Sequence, residues 1–129
     1  MSIDKKYRFT NAQLKPLALD LGNCYASDMI TVEAFKVGFL YRQKPESEND
    51  SGWRFLTGFE TDHYINNPDN FAQFDVNWIA NCDPEILPLL NNPVGSAFGR
   101  DPSKGNIFVE IIDEIDDSNT KNNENKNNT

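Results

Sequence analysis

The sequence predicts a single α+β domain: a mainly antiparallel sheet with short helices inserted between its strands. Three observations carry that expectation. The runs KVGFLYR (36–42) and WRFLTGF (53–59) show the two-residue alternation of half-buried strands. Helix-start chemistry stands between such runs, at Asp75 and again at Asp83-Pro84-Glu85. The length, 129 residues, suits one domain with a core of its own. A chain of this size removes roughly two thirds of its unfolded surface from water.

In chain order, AQLKPLALDLG (12–22) reads as a helix broken by Pro16, and GNCYASD (22–28) as a strand. TVEAF (31–35) is a helical turn leading into KVGFLYR. In that strand Val37, Phe39 and Tyr41 point one way, and Lys36, Gly38, Leu40 and Arg42 the other. QKPESENDSG (43–52) is a polar loop in which Gly52 relaxes the backbone as the turn ends. The next strand carries Trp53, Phe55, Thr57 and Phe59 on one face and closes a hairpin. YINNPDN (64–70) is turn chemistry, since Asn67 before Pro68 resists helix.

In FDVNWIANC (74–82), Asp75 is the expected N-cap of a helix burying Val76, Ile79 and Ala80. Asp83-Pro84-Glu85 starts a second helix running through Ile86 to Leu90, weakened by Pro88 and stopped by NNP (91–93). VGSAFGR (94–100) and NIFVEII (106–112) are the last strands, around a DPSKG turn. The globular part is expected over 1–116. The end, 117–129, is Asn/Lys-rich without apolar residues and is expected to be disordered.

The net charge is −8 and unevenly placed. Residues 1–45 carry seven Lys/Arg against four Asp/Glu, whereas 46–117 carry three against fifteen. An acidic surface repels nucleic acid and anionic membranes and speeds association with basic partners; it also serves plain solubility. No apolar run approaches the roughly 18 residues of a membrane span, and MSIDKKYRFT holds no apolar segment of the secretory kind. The expected location is the cytoplasm. Cys24 and Cys82 are the only cysteines and stand in no CxxC spacing, which fits reduced thiols better than a zinc site.

No catalytic constellation stands out. Glu60 and Asp62 are spaced as acids on one side of a strand end, an arrangement common on solvated faces. Asp50, Glu60, Asp62 and Asp69 could offer oxygens to a hard cation, but EF-hand spacing is absent. His63 is the single histidine, and neither cysteine has activating chemistry beside it in sequence. GSAFG (95–99) lacks the lysine of a phosphate loop. The aromatic residues lack the basic groove that single-stranded nucleic acid requires. No cofactor and no metal are expected.

Trp53 and Arg54 remain, residue types enriched at binding hot spots. Neighbours in a strand face opposite ways. With Trp53 inside, Arg54 faces out among acids, either in a structural salt bridge or as an anchor for a partner. The candidate partner-binding residues are therefore Asp50, Trp53, Arg54, Glu60 and Asp62. As surface anchors, Arg54 and the acids would be removable without loss of the fold.

The pieces KVGFLYR, DSGWRFLTG, NNPDN, DPEILPLL and PVGSAFGRD, in that order over about residues 24–101, resemble the bacterial immunity protein 33 family. The chain departs from that family's pattern at Phe59, Trp78 and Cys82. The resemblance implies a non-enzymatic protein that binds a cognate toxin and blocks it; the acidic charge adds the expectation that this toxin is basic. It supplies no catalytic residues and no oligomeric state. The rival readings are a small-ligand or regulatory module, which needs a concave pocket with a few polar groups, and an enzyme, which needs clustered carboxylates of raised pKa in a cleft.

Overall fold

A computed structural model describes residues 5–112. The expected tail at 117–129, and the end of the 1–116 domain, lie outside the described residues.

The strands are β1 (Asn23–Ser27), β2 (Phe39–Arg42), β3 (Asp50–Leu56), β4 (Phe71–Asp75), β5 (Ala97–Asp101) and β6 (Ile107–Glu110). They form one six-stranded sheet in the order β4-β1-β3-β2-β5-β6. The β2–β3 hairpin is antiparallel with Leu40 opposite Phe55, as the alternation of both runs predicts. β1 pairs parallel with β3; every other pairing among the described strands is antiparallel. The fold is therefore α+β with a mostly antiparallel open sheet.

Short helices fill the connections: α1 (Asp28–Thr31), α2 (Asp62–Ile65) and α3 (Val76–Cys82), with a 3-10 helix over Pro84–Leu89. Asp75 caps α3 by accepting a hydrogen bond from the Asn77 N–H at 2.8 Å, and Asp83 caps the 3-10 helix through Glu85 N–H. Both starts stand where the sequence places them. Pro88 lies inside the second helix, and no regular α-helix forms there. At the N-terminus the expected broken helix reduces to one 3-10 turn, Asn11–Gln13. The turn expected at 31–35 begins earlier instead, because the Ser27 hydroxyl caps α1 through Met29 N–H. β4 and the one-turn α2 were not foreseen.

Registered partners share a face, so the sheet sorts into two. Cys24, Ala26, Leu40, Trp53, Phe55 and Phe98 form the inner face and are all buried. Val76, Ile79 and Ala80 of α3, with Ile86 and Leu90, are buried with them in one core. The N-terminal segment closes the outside of α3. Its Leu17 and Ala18 N–H groups donate to the Asn77 side-chain oxygen, and Tyr7 and Phe9 pack edge-on against Trp78.

Two expectations fail in the hairpin. Phe59 does not join Trp53, Phe55 and Thr57 inside: β3 ends at Leu56, Gly58 turns the chain at φ +91°, and Phe59 is 77% exposed. Val37 does not alternate with Leu40, because β2 begins only at Phe39 and both residues are buried. Gly38 sits between them for a steric reason: a Cβ there would lie 1.9 Å from the Thr57 carbonyl oxygen. Gly52 has φ +90° and packs against the Gln43 carbonyl, but it stands inside β3 and not at the end of the loop, since β3 begins at Asp50.

Candidate functional site

The start of β3 builds a bidentate ion pair. Asp50 Oδ1 accepts from Arg54 Nη1 at 3.0 Å and Oδ2 accepts from Arg54 Nη2 at 2.8 Å. The same carboxylate accepts the backbone N–H of Gly52 and of Glu46. Hydrogen bonding from Arg54 outweighs desolvation, so the Asp50 carboxyl is held well below the usual carboxylate range and Arg54 is raised in turn. The Arg54 guanidinium lies 4.7 Å from the Tyr25 ring centroid, with a Glu46 oxygen at 3.8 Å.

This geometry corrects the expectation of an exposed arginine. Arg54 does face away from Trp53, as strand alternation requires, yet only 7% of it is exposed, and Asp50 is equally covered at 8%. The loop ahead of β3 folds back onto the pair through Glu46 N–H, and Tyr25 lies over the guanidinium. Removing Arg54 would therefore disturb the fold.

Trp53 is core, 1% exposed, with its ring N–H donating to the Leu90 carbonyl and the Arg42 guanidinium 5.6 Å from its ring. Glu60 is half-buried beyond the other end of β3. Its burial opposes the charge, but its carboxylate accepts the N–H groups of Thr57 and Gly58, and the net shift is downward. Asp62 is exposed in the first turn of α2 and makes no ion pair among the described residues. Of the five candidate side chains, only those of Asp50 and Arg54 meet, and Arg54 also donates to the Trp53 carbonyl at 2.9 Å.

The ion pair lies on the sheet face opposite the core, which α2 borders through Ile65. Its central row runs Gln73, Tyr25, Arg54, Tyr41, Ala97 across five strands. The next row holds Phe71, Leu56 and Phe39, with the Phe39 and Tyr41 rings 5.6 Å apart. A notch of about 240 Å³ opens between Tyr25, Tyr41, Leu56, Ile65 and Phe71, with Arg54 at its floor. Sequence reasoning missed Tyr25 and Tyr41. The signal was present in the alternation, which sends them to the side opposite Leu40, Cys24 and Ala26.

A second arginine–aspartate pair stands at the other end of the hairpin. Arg100 donates to Asp83 Oδ2 and to the Val37 carbonyl, both at 2.8 Å, and to Asn106 O. Asp83 Oδ2 also accepts Val37 N–H, and Glu85 stands 2.7 Å from Arg100. This clamp borders an open groove of about 1140 Å³ flanked by Phe35, Phe59 and Ile107. Its charged groups already pair with one another, which leaves few polar groups free to orient a small ligand.

Nucleophile chemistry finds no support in the geometry. Burial raises the Cys24 thiol, and burial likewise pushes Cys82 up to about 11; both are free, while His63 is exposed on α2. Among the described residues no three His, Cys, Asp or Glu side chains gather as a metal site. None of the described helices is long and apolar enough to cross a membrane.

No curated protein and no solved structure matches the chain. The family model described as the immunity protein Imm33 domain matches residues 24–112, from the first residues of β1 to just past the end of β6. It takes in the sheet but for Asn23, both arginine–aspartate pairs and the open face. The chain belongs to the Imm33 immunity protein family.

Proposed function

We propose that this chain is an immunity protein that neutralises a cognate toxin by direct binding, without chemistry of its own, in the cytoplasm of the producing cell. The observation that carries the reading is family membership across the sheet. The acidic balance of residues 46–117 supports a basic toxin as the partner, since it speeds association with cationic surfaces and disfavours nucleic acid and anionic membranes.

The five candidate residues divide their roles in this reading. Asp62 meets the partner directly. Asp50 and Arg54 hold the open face in shape from beneath, and Trp53 holds β3 onto the core. Glu60 fixes the loop that presents α2.

The groove beside Phe59 favours a second reading, a small-ligand module, because its apolar walls leave room for a small molecule. The paired state of Arg100, Asp83 and Glu85 weighs against it.

The test is co-expression with toxin domains encoded in the source genome, beginning with any encoded beside this chain. Protection of growth, with a purified one-to-one complex, is the expected result. Continued killing in cells that hold folded protein would overturn the reading.

A further inference from the structure

From the notch on the open sheet face we infer that the partner inserts one large apolar side chain between Tyr25 and Tyr41, from a surface that is otherwise basic. The inference rests on the neutralisation reading and names the surface and the chemistry through which it acts.

Size comes first. About 240 Å³ lies below the range of drug-sized ligand sites, roughly 300–1000 Å³, and is about eight times the share of one water. That volume suits one large side chain. The floor selects its chemistry. A cationic anchor would meet the Arg54 guanidinium. An anionic anchor would find both terminal nitrogens of Arg54 already bound to Asp50, with Glu46 3.8 Å away. A neutral apolar group meets neither obstacle, and the walls offered by Tyr25, Tyr41, Leu56, Ile65 and Phe71 are largely carbon.

The rim sets the surroundings of the anchor. The Glu46 side chain is 66% exposed on one side, and Asp62 is exposed at the start of the helix that carries Ile65 on the notch wall. The one arginine in the notch is neutralised by Asp50. An apolar centre with an acid on each of two sides matches an apolar knob flanked by Lys and Arg, the layout of a buried anchor within a polar rim. The buried ion pair also holds the Tyr25 ring in place before the partner arrives, which lowers the ordering entropy of association.

The experiment is calorimetric titration of the toxin domain that co-expression identifies into the wild-type chain and four variants. Ile65→Arg blocks the notch at a residue already 44% exposed, and Tyr41→Ala removes a wall. Phe59→Arg and Leu19→Arg make the same charge change at exposed apolar residues outside the notch. Thermal melts establish that each variant is folded. Loss of affinity of about 100-fold or more in folded Ile65→Arg, with Phe59→Arg and Leu19→Arg close to wild type, supports the notch. Tyr41→Ala, where folded, should follow Ile65→Arg. Wild-type affinity in Ile65→Arg overturns the notch while the neutralisation reading stands. A loss confined to Phe59→Arg also overturns it and moves the interface to the groove. A wild-type chain that does not bind the toxin overturns the neutralisation reading and the notch with it.

Discussion

The described residues hold two arginine–aspartate pairs of nearly identical chemistry and different reach. In each, guanidinium and carboxylate meet at 2.8 Å, a glutamate stands alongside, and an aromatic ring lies against the arginine. Arg54 and Asp50 lie four residues apart on one strand. They order a loop and the surface above it. Arg100 and Asp83 lie on different elements, and Arg100 also reaches the Val37 carbonyl, 63 residues away in sequence. They tie the end of β5 to the second helix and to the chain entering β2. The comparison teaches that contact distance does not rank such pairs; what ranks them is how many chain segments come apart when one partner is removed.

The largest effect is expected at the clamp. Arg100→Ala leaves the Asp83 carboxylate, 3% exposed, as a buried charge without its cation, and releases the Val37 and Asn106 carbonyls. Breaking such a pair costs about 3–5 kcal/mol. Urea denaturation should show a loss in that range. A loss below about 1 kcal/mol would break the ranking.

Asp50→Ala comes next. It releases Arg54, Glu46 N–H and Gly52 N–H, but all within one loop and strand start that water can reach on opening. The expected loss is about 2–3 kcal/mol, in the range of hydrogen bonds to charged groups. Adding Arg54→Ala to Asp50→Ala should cost little more, since the two share one interaction, and a double-mutant cycle reads that coupling.

The same pair sets an acid limit. The Asp50 carboxyl is depressed below its unfolded value of roughly 3.9. Its stabilisation is thus complete above that pH and is lost as pH falls toward the folded value. Urea midpoints measured between pH 5 and pH 2 should fall less in Asp50→Asn than in wild type. Equal slopes would remove Asp50 from the acid response.

The smallest effect is expected at Asp62→Lys, where exposure and the lack of an ion pair among the described residues predict a stability change within about 0.5 kcal/mol. The same substitution should weaken toxin binding under the proposed reading. That split separates a residue that meets a partner from residues that support the surface beneath it.

How far the sequence was legible follows from the range of each interaction. The caps at Asp75 and Asp83 were readable because an N-cap is satisfied within two or three residues. The hairpin was readable because both strands alternate and face each other across one loop. β4 was not. FAQFD follows turn chemistry directly and runs into the cap of α3, so it has no punctuation of its own; it is a strand because β1 offers it an edge. The burial of Arg54 was half legible. Alternation dictates its side of the strand, but the cover over it comes from β1 and from a loop folding back.

By itself the sequence determined the α+β class, the helix starts at Asp75 and Asp83, the need for glycine at Gly52 and the segregation of acidic charge, because each depends on local sterics, short-range hydrogen bonds or composition. Tertiary structure alone decided the parallel β1–β3 pairing, the clamp between Arg100 and Asp83, and the row that puts Tyr25 and Tyr41 on either side of Arg54. Those depend on which strands become neighbours, and strand neighbours are chosen by burial of the whole core rather than by any run of adjacent residues.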